Sequence, residues 1–190
     1  LITFSPELSQ ALNISGSIVA GDAAMYSYLG LAAGDMASGI ISQKIGSRKK
    51  VVAAFILLTF VFILLFLFSP FNSVALFYVN CFAIGFGIGY WALFVTIAAE
   101  QFGTNLRSTV ATTVPNFIRG TLVPITLFFK FLRDNLSDHY TPLVGELEAR
   151  NLGLIYGALI VGLCTIVIAF IALKAIDETY GRDLNFEEVD

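Results

Sequence analysis

Residues Val51 to Phe68 read VVAAFILLTFVFILLFLF, and only Thr59 interrupts the aliphatic and aromatic side chains. In water such a run would present apolar surface on every side, whatever secondary structure it took. A helix of about 20 residues rising about 1.5 Å each spans a hydrocarbon core roughly 30 Å thick and bonds its backbone groups internally. The stretch therefore predicts a membrane-crossing helix, and it sets the solvent in which the rest of the chain is to be read.

The composition agrees. Mean hydropathy is +0.82, 57% of the 190 residues are hydrophobic, 18 are Phe and 13% are charged, far from the balance of a soluble domain. The chain reads as an integral membrane protein of a plasma or bacterial inner membrane, with the lipid bilayer as partner and no role for nucleic acid. Its net charge of -3 says little, because the placement of Lys and Arg matters more than their sum. Cys81 and Cys164 both fall in apolar runs, where a thiol behaves as a small hydrophobe. The first residue is Leu and no charged segment with a small-residue cleavage site precedes the first span, so the expectation is a fragment or a processed piece.

Cutting the apolar runs at charge clusters and at Pro, Asn and Gly turns predicts about five spans: Ser17 to Gln43, Val51 to Phe68, Ser73 to Ala99, Ser108 to Phe131 and Leu152 to Ala175. The fold class is all-α, a polytopic transmembrane helix bundle, followed by a tail over Ile176 to Asp190. Ser69 to Asn72 reads as a turn. Leu132 to Asn151 holds Asp134, Asp138, Glu146, Glu148 and Arg150 and predicts a solvated loop containing at most a short surface helix. The opening LITFSPEL reads as the exit of an earlier helix, which places a sixth helix upstream.

Orientation follows from the bases. Lys44, Arg48, Lys49, Lys50, Arg107, Lys174 and Arg182 fall on one side of the predicted spans, and Lys130, Arg133 and Arg150 on the other. Seven against three, with four in one short turn, puts the first and third inter-span loops and the C-terminus in the cytoplasm.

In the first span Tyr26, Gly30, Gly34, Ser38 and Ser42 recur every four residues, lining mostly small side chains along one face so that another backbone can approach closely. Gly85, Gly87 and Gly89 superficially resemble a nucleotide-binding loop. No strand precedes them, so helix contact or a local bend is the expectation.

The residues that point to solute chemistry lie near mid-membrane. Arg119 sits close to the centre of the fourth span, where a charge costs about 2.5 to 3.5 kcal/mol on insertion scales and should face a cavity or a partner. Thr109, Thr112, Thr113, Asn116 and Arg119 project to one side at spacings of three and four, and Pro115 and Pro124 bracket them as candidate kinks. The guanidinium fork suits a carboxylate or phosphate; the alternative is an Arg paired with an acid elsewhere in the bundle. Asn80, Gly87 and Trp91, with Tyr90 beside them, offer the amide and aromatic lining of a solute pocket or ordinary aromatic packing. Asp35 is the acid deepest within a span; it could carry a coupling proton or anchor the basic loop through Arg48 or Lys44, and the second reading is favoured.

Three loops carry a family resemblance. Gly39, Lys44, Gly46, Arg48 and Lys49, in GIISQKIGSRKK, resemble the signature loop of the major facilitator superfamily, in which Gly, an acid, a base, Gly and two further bases recur between two helices; Gln43 stands at the acid position. Glu100, Phe102 and Arg107, in AAEQFGTNLR, are similar to a loop of its sugar-porter branch, with Ala98 and Gly103 where prolines are usual. Glu178, Thr179, Gly181 and Arg182, in DETYGRDL, are similar to the tail after that branch's last helix, with Tyr180 in place of Lys.

The resemblance implies helices eight to twelve of a twelve-helix transporter, with the end of helix seven at Leu1 to Phe4 and an N-terminal half outside this chain. It implies secondary active transport of a small polar solute by alternating access, with proton coupling as the family default and no cofactor. Sugar follows from the branch, whereas Arg119 suggests an organic anion. The loops would supply cytoplasmic contacts that break and reform, Glu100 and Arg107 among them. An intramembrane enzyme is disfavoured: the one histidine, His139, lies in the predicted outward loop, and no Cys, His or acid cluster has ligand spacing. A truncated, non-transporting membrane protein kept for interaction is the other alternative.

Overall fold

The computed structural model describes residues 5–12, 14, 17–68, 73–183, 185 and 187, and those residues form helices and turns with no strand among them. The order is α1 (Ser5–Ala11), α2 (Ala20–Ile45), α3 (Arg48–Phe68), α4 (Val74–Ile88), α5 (Trp91–Glu100), α6 (Thr104–Gly120), α7 (Leu122–Val144) and α8 (Glu146–Ala175). Leu1 to Phe4 and the Ser69 to Asn72 turn lie outside the described residues.

Three helical segments among them are long and apolar enough to cross a membrane: Arg48–Phe68, Val74–Glu100 and Glu146–Ala175, of 21, 27 and 30 residues. They correspond to the second, third and fifth of the expected spans, the third beginning one residue later, at Val74. α2 has the length, at 26 residues, but Asp22, Asp35 and its Gly and Ser residues dilute its apolar character.

That dilution is what packs the bundle. Gly30, Gly34, Ser38 and Ser42 are buried along α2, and α4 runs parallel to it against Gly30 and Gly34. A Cβ at Gly30 would stand 2.1 Å from the Phe82 carbonyl oxygen, at Gly34 2.3 Å from that of Phe86, and at Gly85 2.0 Å from that of Ser27. These are backbone contacts that no side chain permits, as the small-residue stripe predicted. The Ser27 hydroxyl donates across the same seam to the Cys81 carbonyl at 3.1 Å.

α3 runs antiparallel to α4, with Phe66 against Phe77 at 5.1 Å between ring centroids and Phe55 against Phe86 at 5.9 Å. One apolar cluster joins Phe66, Phe77, Cys81 and Ile84 to Phe129, Leu154 and Ala158; a second joins Val51, Phe55 and Ile56 to Leu93 and Ile97, flanked by Phe170 and Leu173. α8 thus lies along α3 at both ends.

The expected span Ser108 to Phe131 is not one helix, nor is Leu132 to Asn151 a loop. α6 ends at Gly120 and α7 begins at Leu122. The cause is local: Pro124 has no amide to bond the Gly120 carbonyl, and its ring crowds that carbonyl. Thr121 closes the α6 end by donating its amide to Phe117 O and Ile118 O at 3.2 and 3.1 Å. Residues 132–144 then continue α7, and Gly145 (φ +86°) turns the chain directly into α8. α7 and α8 form an antiparallel hairpin in which a Cβ at Gly153 would meet Ser137 Oγ at 2.3 Å and the Arg133 carbonyl at 2.6 Å. The charges that suggested solvated loop lie largely on the open side of this hairpin, with Asp134, Asp138, Glu146, Glu148 and Arg150 exposed. Helix packing through Gly153 and Gly157 outweighs what composition suggests for the segment.

Candidate functional site

Gly46 adopts the left-handed conformation (φ 68°, ψ 28°) that ends α2, its amide donating to Ser42 O at 3.0 Å. The next residue, Ser47, caps the following helix: its Oγ accepts from the Lys50 amide at 3.3 Å. Two residues between two long helices leave the first-turn amides of α3 pointing outward, and Glu178 fills that position. Its carboxylate accepts from Arg48 N at 3.1 Å, Lys49 N at 3.2 Å, the Ser47 hydroxyl at 2.5 Å, and its own neighbours Thr179 N and Tyr180 N, both at 3.1 Å. Partial burial pushes this carboxyl up, but the bonds from the Ser47 hydroxyl and from the Tyr180, Arg48 and Lys49 amides outweigh it and hold the group at about 2.

The same end collects the other motif residues. Arg48 Nη1 forms a short ion pair with Glu100 Oε2 at the end of α5, where Glu100 is 7% exposed. Lys49 Nζ donates to the Ile176 carbonyl. Gln101 Nε2 donates to Asp177 O at 2.9 Å, Arg182 pairs with Asp177 at 3.3 Å, and the Tyr180 hydroxyl donates to Gln43 O at 3.3 Å. Tyr180 of the tail and Gln43 of the first loop therefore touch. Arg107 Nη2 donates to Phe102 O at 3.4 Å, while Lys44 is exposed and Gly39 has nothing within 4 Å of a built Cβ. Three loops far apart in the chain meet at one end of the bundle. Sequence reading overlooked Ser47, although a Ser directly before a helix start is itself a cap signal.

Asp35 does not anchor the basic loop. Its Oδ1 accepts from the Ala92 amide at 3.1 Å, in the first turn of α5. The third span breaks at Gly89 and Tyr90, where α2 approaches so closely that a Cβ on Gly89 would lie 2.4 Å from Gly34. The break frees the first amides of α5, and Asp35 serves as a cap supplied by the neighbouring helix.

The expected solute-contact residues are spread over separate surroundings. Asn80 is buried, 7% exposed, and shares its helix face with Gly87, which abuts Thr59 of α3. Tyr90 is half-buried against the Val51 and Leu93 cluster, and Trp91 stacks at a tilt on Phe94, 5.7 Å between centroids. Asn116 and Arg119 are exposed on α6, whose residues are nowhere buried; Arg119 Nη1 donates to Asn116 Oδ1 at 3.3 Å. Asn116 lines an open groove of about 520 Å³ at the α6–α7 break with Thr113, Phe117, Gly120, Thr121 and Pro124. Among the described residues no group of three His, Cys, Asp or Glu is placed to hold a metal ion.

Set beside family models, curated proteins and solved structures, the chain matches none of them.

Proposed function

We propose that the chain is the C-terminal part of a secondary transporter of the major facilitator type, which moves a small polar solute by alternating access. The observation that supports this reading is the convergence of the three family-like loops. Glu178, the Ser47 and Arg48 pair, and Glu100 come from three different loops, yet they form one hydrogen-bonded junction at a single end of the bundle. Contacts of this kind, charge-assisted and at helix ends, suit a conformational latch that holds one state of a rocking pair of domains.

On this reading the five expected spans become helices eight to twelve, with α6 and the start of α7 as one crossing bent at Thr121, and the junction faces the cytoplasm. The solute lies near the midplane between this unit and an N-terminal half, as in transporter folds whose irregular helices line the site. α6, none of whose residues is fully buried, turns Asn116 and Arg119 toward that partner half. Arg119 is the anion-recognising group and Asn116 holds its fork in place; Asn80, Tyr90 and Trp91 flank the path. Asp35 is the candidate for proton coupling.

The test is uptake by the full-length parent in proteoliposomes. Arg119→Gln is expected to abolish uptake of the solute while leaving membrane insertion intact. Wild-type uptake in that variant overturns the role of Arg119, and a parent without further spans before Leu1 overturns the transporter reading.

A further inference from the structure

α3 and α8 are two of the three segments long and apolar enough to cross a membrane, and they pack side by side. At their shared end lies a cleft of about 330 Å³ with an apolar floor of Ala53, Phe170 and Leu173 and a rim of Lys49, Lys50 and Lys174. At that end Glu100 pairs with Arg48, Asp177 with Arg182, Glu178 accepts from Ser47 and the α3 amides, and Asp183 accepts from the Asn185 amide; Glu187 of the tail pairs with none of the three lysines. Among the described residues none of the three ammonium groups has a carboxylate partner, and only Lys49 has a bond, to the Ile176 carbonyl. Three uncompensated cations over a greasy cleft on a membrane-facing helix pair repel one another unless an anion joins them.

From this juxtaposition we infer that the α3–α8 cleft binds an anionic phospholipid of the adjoining leaflet. The headgroup phosphate sits among Lys49, Lys50 and Lys174, and an acyl chain descends over Ala53, Phe170 and Leu173. Both parts of the cleft are then used: the lysines match the phosphate charge, and the apolar floor lies at the depth where the chains begin. A soluble anion would use the rim alone. Each ammonium near an anionic lipid surface is worth about fivefold in binding. The inference does not depend on the transporter reading.

Native mass spectrometry of the detergent-solubilised full chain, titrated with phosphatidylglycerol or phosphatidylcholine, tests it. Phosphatidylglycerol is expected to bind at least about tenfold more tightly, and Lys50→Gln with Lys174→Gln should cut that preference to the about fivefold or less that Lys49 alone supplies. Lys130→Gln, away from the cleft, should leave the preference intact. Ala53→Phe, which fills the cleft without touching a charge, should weaken phosphatidylglycerol at least fivefold. Preference undiminished in the double lysine variant, or equally reduced in Lys130→Gln, overturns the site. So does glycerol phosphate competing as well as the lipid, which would make the rim a soluble-anion site.

Discussion

The Ser47 hydroxyl donates to Glu178 Oε2 at 2.5 Å across 131 positions of sequence, so that the carboxylate of the tail completes the first turn of α3. The contact joins the residue that caps a helix to the residue that neutralises its dipole, and it ties the tail to the α2–α3 turn at one end of the bundle. A tail docked in this way depends on one charge.

Removing that charge is expected to release the tail. Glu178→Gln keeps an acceptor but loses the charge-assisted bonds, and should cost about 1 to 3 kcal/mol of docking. Hydrogen exchange at the Arg48 and Lys49 amides reads it directly: both should exchange faster in the variant, and unchanged protection sinks the assignment.

The same carboxylate predicts a pH window. Its folded value of about 2 lies below the ordinary 4.5, so its contribution is fully present above about 4.5 and is lost as pH falls from there toward about 2. Distances between spin labels on the tail and on α3 should hold from pH 7 to 5 and lengthen below about 4. Lengthening that begins near pH 6 would implicate another group.

Two glycines of α2 should respond in opposite directions. Gly34→Ala drives a methyl into the Phe86 carbonyl, 2.3 Å away, and should destabilise by about 2 kcal/mol or more, since backbone on both sides must shift. Gly39→Ala meets nothing within 4 Å and should be neutral or stabilising by about 0.5 to 1 kcal/mol, as Ala is in helix interiors. Unfolding in mixed detergent measures both, and equal effects would refute the α2–α4 seam.

Asp35 separates capping from proton transfer. Asp35→Asn keeps an oxygen for the Ala92 amide and should retain stability, whereas Asp35→Ala should lose about 1 kcal/mol. If the full-length parent is proton-coupled through this residue, Asp35→Asn abolishes gradient-driven uptake at unchanged thermal stability. Equal stability of the two variants removes the cap.

Arg48, partly buried, pairs with Glu100, which is buried, and removing the arginine strands the carboxylate. Arg48→Gln should cost roughly 3 kcal/mol, and Arg48→Met with Glu100→Leu should recover most of it. A double variant as unstable as the single one would mean the pair is not coupled.

How much of this was legible beforehand depends on where the determining interaction lies. Val51 to Phe68 announces α3 because every side chain there argues alike, and the Gly30 and Gly34 stripe announces close packing because its spacing is a property of one helix. Pro124 ends a helix through its own missing amide, yet where the break falls, at Thr121 rather than nearer Pro115, was not readable. Residues 132–151 looked like loop because charge is a local signal, whereas the packing that makes them helix comes from Gly153 and Gly157 in the opposite arm of the hairpin.

The site divides in the same way. The sequence by itself determined the long apolar segments, the helical class and the small-residue face of α2, since each is written in neighbouring residues. Only the tertiary structure decided that Glu178 caps α3, that Glu100 pairs with Arg48, that Asp35 serves Ala92 rather than the basic loop, and that Lys174 joins Lys49 and Lys50 around one cleft. A carboxylate binds whichever amides and cations the packing of helices brings within about 3 Å, and that proximity is set by backbone approach at glycines and by the turns between helices, not by the acid's own neighbours in the chain.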